Sequence, residues 1–333
     1  MPGALRDASP DAWGRRVILN RLTGAHGRDV DVGALSEPVY LLESGSSRFG
    51  AIDFQAGPSA YVPRHETATL DDLHRAADLI DAGEILTPAL RTALESGTAL
   101  GGARPKALVV DDTGREWIAK FSASGDPFSV VGAEAASLRI ARSAGIEVPD
   151  VQVVESLGKT VLLIERFDRA PGGRRHLAVS GLTLLELGEM TARYGTYPDL
   201  VGRLRERSAQ PDSVGPEMFR RIAFNMAISN TDDHLRNHAA LWDGTHLRLS
   251  PAYDLSPMLR SGETAAQALA YGIRGERESS LATRARSDSR AAATRRSASC
   301  ACATCRRARC PAQPPSTAGS PQYTRNASAV MVT

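Results

Sequence analysis

The stretch TALGGARPKALVVDDTGREWIAKFS, residues 98–122, decides how the rest of the chain is read. Two glycines lead into KALVV, whose aliphatic residues suit a strand, and DDTG supplies the Asp and Gly of a tight hairpin. EWIAKF then reads as a second strand, with Lys120 framed by Trp117, Ile118 and Phe121. A lysine is usually a solvated surface charge, so this framing is unusual. Possible partners lie close downstream, where GAEAASLRIARSAG (132–145) reads as an Ala-rich helix with Glu134 near its start.

Strand and helix patterns alternate with turn residues on both sides of this hairpin. VQVVES (151–156) and KTVLLIERF (159–167) read as further strands, and from about Leu182 to Asn230 the pattern is mostly helical. Upstream, the short apolar runs between Val17 and about Arg64 (VILNRL, VYLLE, FGAIDF, AYVP), broken by Gly, Ser and Pro, are expected to be β-rich. One or two helices follow over about residues 68–96. The expected fold class is α+β, with four segments. Residues 1–96 form a β-rich N-terminal subdomain with connecting helices, 97–169 carry the Gly-rich loop and its strands, 170–283 are helical, and 284–333 form a disordered tail.

The bulk numbers allow this. The 333 residues are 42% hydrophobic and 23% charged, with a formal net charge of +2, which suits a globular protein of roughly two domains. There is no apolar run of the ~18 residues that a membrane span needs, and MPGALRDASPDAWGRR does not resemble a signal peptide. All four cysteines (Cys300, Cys302, Cys305, Cys310) lie in the tail, leaving the body without a disulfide framework or a cysteine nucleophile. A reducing, cytoplasmic setting and no membrane partner are expected.

Several stretches carry chemistry-bearing residues, each with a plainer alternative. In SNTDDHLRN (229–237), Asp232 and Asn237 stand at the D-x-x-x-x-N interval that protein kinases use for a catalytic aspartate and a magnesium-holding asparagine. The same interval also arises from an Asx-turn or a helix cap. LSPAYDLSP places Asp254 after an aromatic, as a magnesium ligand or as a turn residue between prolines. Lys120 and Glu134 match the strand lysine and helix glutamate of a kinase ion pair, or are solvated charges. GTALGGARPK (97–106) offers glycines, Arg104 and Lys106 to phosphate, or is a tight turn. The order of the parts favours Mg·ATP phosphoryl transfer, because chance agreement across all of them is much rarer than for any one.

These stretches resemble the HipA-type serine/threonine kinase toxins of bacterial type II toxin–antitoxin modules. The resemblance rests on LGGARPKA (100–107), WIAKF (117–121), ARSAGIEVP (141–149), LLIERFDR (162–169), SNTDDHLRN (229–237) and PAYDLSP (251–257). It implies a kinase-like two-lobed fold, with a β-rich N-terminal part and an all-helical C-terminal lobe. It also implies ATP and Mg²⁺ as cofactors, Asp232 as the catalytic base, Asn237 and Asp254 as metal ligands, and Lys120, braced by Glu134, as the phosphate-binding lysine. Gly101, Gly102, Ala103, Arg104 and Lys106 would cover the phosphates, and the backbone of Glu165, Arg166 and Phe167 would receive adenine. His234 and Tyr253 would line the nucleotide site; with no second His or Cys at ligand spacing, His234 would be structural or orient substrate, and Asp233 would cap or pair locally. The implied partners are a protein substrate such as an aminoacyl-tRNA synthetase, whose phosphorylation arrests growth and underlies persistence, and a helix-turn-helix antitoxin of the HipB type, through which operator DNA is reached.

Two departures from the family stand out. Ala99 occupies the place of a serine whose autophosphorylation ejects the Gly-rich loop, so inhibitory autophosphorylation is expected to be absent or moved to Thr98. Beyond Thr283 the chain is rich in Arg, Ala, Ser, Pro and Cys where the family continues with amphipathic helices. The cysteines, spaced C-x-C-x-x-C-x-x-x-x-C, follow no ordinary zinc-finger pattern, and an arginine-rich arm would contact nucleic acid electrostatically. A GC-rich coding region read out of frame accounts best for the composition, and would leave the C-terminal lobe incomplete. Two other functions remain open at this point, a small-molecule phosphotransferase and an inactive antitoxin-binding pseudokinase.

Overall fold

The computed structural model describes residues 1–24, 31–64, 69–84, 87, 90, 104–123, 125–259, 265–272 and 274–279. The expected segments at 97–103 and 284–333, including Thr98, Ala99, the glycines of the loop and all four cysteines, lie outside the described residues.

In chain order the helices are α1 (Gly3–Asp7), α2 (Ala12–Thr23), α3 (Glu37–Glu43), α4 (Leu70–Ala82), α5 (Val130–Ser143), α6 (Gly181–Leu184), α7 (Tyr197–Arg207) and α8 (Pro211–Ala227). The strands are β1 (Lys106–Val110), β2 (Glu116–Phe121), β3 (Val151–Ser156), β4 (Lys159–Glu165), the short pair β5 (Arg169–Ala170) and β6 (Arg174–Arg175), then β7 (Leu177–Ser180), β8 (Ala239–Trp242) and β9 (Leu247–Leu249). Residues Met1–Leu281 make one compact unit.

The hairpin read from residues 106–121 begins an antiparallel four-stranded sheet of order β1-β2-β4-β3. Alternation along the strands sends Ala107, Ala119, Phe121 and Val161 to one face, where Trp13 and Val17 of α2 and Leu73, Ala76 and Ala77 of α4 cover them. Leu162 and Ile164 point to the other face and pack on Val131, Ala135, Leu138 and Ala141 of α5, with Phe224, Ala252 and Leu255 beyond. Burying each large side chain of this kind contributes about 1.5–3 kcal/mol before conformational entropy is counted. Lys120, one residue from both Ala119 and Phe121, therefore emerges on the α5 face, and Lys106 stands opposite it in the β1–β2 register.

Two expectations need correction. Among the described residues between Val17 and Arg64 there is no strand. VILNRL lies in α2 and VYLLE in α3, while residues 44–64 are irregular. Short apolar runs do not by themselves separate strand from helix. Here the end signals decide, because Asp11 caps α2 by accepting from the N–H groups of Trp13 and Gly14, and Gly24 closes it in a left-handed conformation (φ 70°). The C-terminal part is also not all helical. It packs α7 and α8 against a three-stranded sheet of order β7-β8-β9, with Leu200, Leu204, Met218, Ile222, Ala240 and Leu249 sharing one core.

Candidate active site

Lys120 is the hub of the site. Its Nζ lies 2.7 Å from Glu134 Oε1 and 2.8 Å from Asp254 Oδ1. Glu134 sits in the buried stripe Val131–Glu134–Ala135–Leu138 that α5 turns to the sheet, which is why a carboxylate with 3% side-chain exposure ends directly over a strand lysine. Burial works against the Lys120 ammonium, but Asp254 and Glu134 outweigh it and raise its pKa. Lys120 in turn holds the Asp254 carboxyl below its ordinary range, and burial lifts that of Glu134. Asp254 keeps 43% of its side chain exposed, so one oxygen is tied to Lys120 while the carboxylate stays accessible.

The backbone around Asp254 and Asp232 is unusually shaped. Asp254 (φ 59°) and Ser229 (φ 58°) both occupy the left-handed region, where residues other than glycine are uncommon and cluster at functional sites. Asn230, fully buried, holds the bend. Its Nδ2 donates to Asn225 Oδ1 at 3.0 Å and to the Asp254 carbonyl at 3.3 Å, and its Oδ1 accepts from the Asp232 N–H at 3.3 Å. One side chain thus joins the end of α8 to both aspartate segments. Sequence reasoning missed Asn230; the polar pair Asn225 and Asn230, five residues apart across the end of α8, was the available signal.

Asp232 is exposed, whereas Asp233 beside it is buried. The Asp233 carboxylate accepts from Tyr197 Oη and lies 3.1 Å from His238 Nε2. Burial lifts Asp233, but His238 and the hydrogen bonds outweigh that and hold its pKa down. Asn237 spans the D-x-x-x-x-N interval, its Nδ2 donating to the Asp232 carbonyl at 3.2 Å. That commits the amide nitrogen and leaves the amide oxygen for a cation. A carboxylate and an amide oxygen, completed by phosphate oxygens and water, make the hard oxygen donor set that Mg²⁺ takes. No cluster of three or more His, Cys, Asp or Glu side chains suited to a metal exists among the described residues.

The remaining expected residues divide. Tyr253 reaches the same centre, its Oη donating to the Arg236 carbonyl at 2.6 Å while its ring stacks on Phe167 at 5.4 Å. Phe167 meets Phe49 edge-on at 6.3 Å. Arg166 is committed to contacts within the protein. Its guanidinium is buried among Asp168, Ser47, Glu116 and the Arg48 carbonyl, and its N–H donates to the Glu116 carbonyl at 3.0 Å, so this N–H is not offered to adenine. Glu165 pairs loosely with Arg115 at 3.9 Å. Arg104 is held at the surface by Asp126 at 2.8 Å. His234 is half-buried beside Asp233, and Lys106 is almost wholly buried on the Lys120 face.

Known proteins resemble this chain over part of its length. "Putative kinase Y4dM" of Sinorhizobium fredii is 30% identical over 187 residues, 48% of this chain and 42% of that protein. A Haemophilus influenzae protein also named as a kinase is 26% identical over 181 residues, 48% of this chain and 52% of its own length. The chain thus spans about half or less of the curated relatives it matches. Among solved structures, the Shewanella oneidensis toxin–antitoxin complex of HipA, HipB and operator DNA aligns with a TM-score of 0.44 at 24% identity, covering 54% of this chain and 48% of that one. The Helicobacter pylori proinflammatory kinase CtkA aligns with a TM-score of 0.42 at 13% identity, over 52% and 69%. Likeness at that level adds nothing to the fold described above. Residues 98–309 match the HipA-like C-terminal domain, more than half of the chain. The protein belongs to the HipA-like C-terminal domain family.

Proposed function

We propose that the chain is an ATP- and Mg²⁺-dependent serine/threonine protein kinase, the toxin of a HipA-type toxin–antitoxin module. The observation that carries this reading is the double ion pair of Lys120 with Glu134 and Asp254, because phosphoryl transfer needs a braced lysine beside a metal-binding aspartate. Lys120 binds and orients the transferred phosphates, with Glu134 fixing its ammonium. Asn237 and Asp254 would hold Mg²⁺, which when bound neutralises charge on the phosphates. Asp232, exposed next to these groups, accepts the proton of the acceptor hydroxyl. Phe167 and Tyr253 close the adenine side, where the Glu165 carbonyl and the Phe167 backbone would receive the base; the Glu165 N–H is already given to the Asp150 carbonyl at 2.8 Å. His234 orients substrate.

The chain carries no helix, among the described residues, long and apolar enough to cross a membrane. The proposed partners are a cytoplasmic protein substrate such as a translation factor and a helix-turn-helix antitoxin that reaches operator DNA. Incubation with radiolabelled ATP and a cell lysate, followed by separation into protein and small-molecule pools, tests the acceptor class. Label recovered as phosphoserine or phosphothreonine supports the proposal; label confined to small molecules refutes it in favour of a small-molecule phosphotransferase.

A further inference from the structure

Two contacts from the start of α2 converge on Lys106. Asp11 is the N-cap of α2, its Oδ1 accepting from the N–H of Trp13 at 3.1 Å and of Gly14 at 3.4 Å. Its other oxygen, Oδ2, lies 3.9 Å from Lys106 Nζ, and the Trp13 indole N–H donates to the Lys106 carbonyl at 3.3 Å. Both side chains of the pair are largely hidden, 4% exposed for Lys106 and 13% for Asp11. Lys106 lies directly opposite Lys120 in the β1–β2 register, so both ammonium groups leave the same face of the sheet. Burial lowers Lys106 to about 8, Asp11 opposes the fall and Lys120 adds to it.

We infer that Asp11 is a positioning residue of the phosphate site, its carboxylate fixed by the helix cap and holding the Lys106 ammonium beside Lys120 so that two cations face the nucleotide phosphates. The inference rests on the kinase reading above, and it makes the N-terminal helix part of the site. Removing one partner of a buried ion pair leaves an uncompensated charge. Lys106 then turns away or gives up its proton, and in either case a phosphate loses a cation.

Asp11→Asn isolates the effect, because Asn caps a helix as well as Asp and keeps the bonds to Trp13 and Gly14. Asp11→Ser, which also caps, is a second charge-free variant in case the first fails to fold. Equilibrium binding of Mg·ATP and of adenosine is measured on the full chain for wild type, Asp11→Asn, Asp11→Ser, Asp11→Glu, Lys106→Gln and the double variant Asp11→Asn/Lys106→Gln. The expected result is ATP binding weakened about tenfold in Asp11→Asn, with adenosine changed less than about twofold. Asp11→Glu restores ATP binding, and the double variant binds no more weakly than Lys106→Gln. Loss of ATP and adenosine alike, or tighter ATP binding in Asp11→Asn, overturns the inference. A wild type that binds ATP and adenosine equally overturns the phosphate site and the kinase reading together, whereas Asp11→Asn matching an ATP-preferring wild type overturns only the role of Asp11.

Discussion

Lys120 Nζ and Asp254 Oδ1 lie 2.8 Å apart although 134 residues separate them in the chain. The contact joins the sheet that carries the hairpin to the segment that follows β9, and Glu134 completes it from α5. Lys120→Met is expected to reduce phosphate transfer by orders of magnitude and to leave the Glu134 and Asp254 carboxylates without the ammonium they share. Steady-state transfer rates and circular dichroism on the same preparation separate lost chemistry from lost folding.

The two aspartates of SNTDDHLRN are expected to fail differently. Asp233→Asn weakens the buried contacts to Tyr197 and His238, so thermal stability falls by about 1–3 kcal/mol, the usual cost of an unsatisfied buried polar group. Asp232→Ala, at an exposed position, leaves the melting temperature within a degree or two but loses activity. Equal destabilisation by both would contradict the division of labour between them.

Metal dependence should separate two further substitutions. Asn237→Ala and Asp254→Ala are both expected to raise the Mg²⁺ concentration needed for half-maximal transfer, with excess Mg²⁺ partly restoring only Asn237→Ala, because Asp254 is also a partner of Lys120. A Mg²⁺ titration of initial rates reads this directly.

A buried ion network beside the strand β4 contributes to stability in acid. Asp168 is buried and meets Arg166 at 2.7 Å and Arg169 at 3.0 Å. Burial raises its pKa, but the two guanidiniums outweigh that and lower it to about 2. A carboxyl lowered on folding adds stability above its unfolded pKa of about 4, and that stability is lost as pH falls through the folded value. Unfolding free energy measured against pH is expected to drop between about pH 4 and pH 2 in wild type. In Asp168→Asn the baseline is lower by ~3–5 kcal/mol and this part of the acid dependence disappears.

The N-lobe was legible in the sequence because each strand carried its own turn signal. DDTG set the β1–β2 hairpin, and the alternation of EWIAKF put Lys120 on one face. The Asp232–Asn237 interval was readable as a spacing and becomes a hydrogen bond in the structure. The N-terminal helices were misread because VILNRL and VYLLE are too short to show a period, and the decisive caps are Asp11 and Gly24. In the three-stranded sheet, HLRLS (246–250) is strand-like in sequence and carries β9, whereas β7 and β8 are only four residues long and pair across an intervening helical stretch, so no local pattern announces them. Arg166 stood in the sequence as a nucleotide residue, yet its partners Ser47 and Arg48 come from a segment whose approach no local pattern announces.

The tail carries its own prediction. The family match runs past Thr283 to residue 309, whereas the sequence beyond Thr283 has hardly any large aliphatics. Sequencing the coding DNA decides between the two: a single insertion or deletion near codon 283 that restores an aliphatic-rich helical continuation is the expected finding, and its absence refutes the shifted frame.

The most direct measurement is transfer of radiolabel from the γ-phosphate of ATP to protein, with wild type beside Asp232→Ala in the same lysate and folding of both checked by circular dichroism. The kinase reading predicts labelled protein with wild type and none above background with Asp232→Ala. Equal labelling by both, or none by a folded wild type supplied with Mg²⁺, would contradict it.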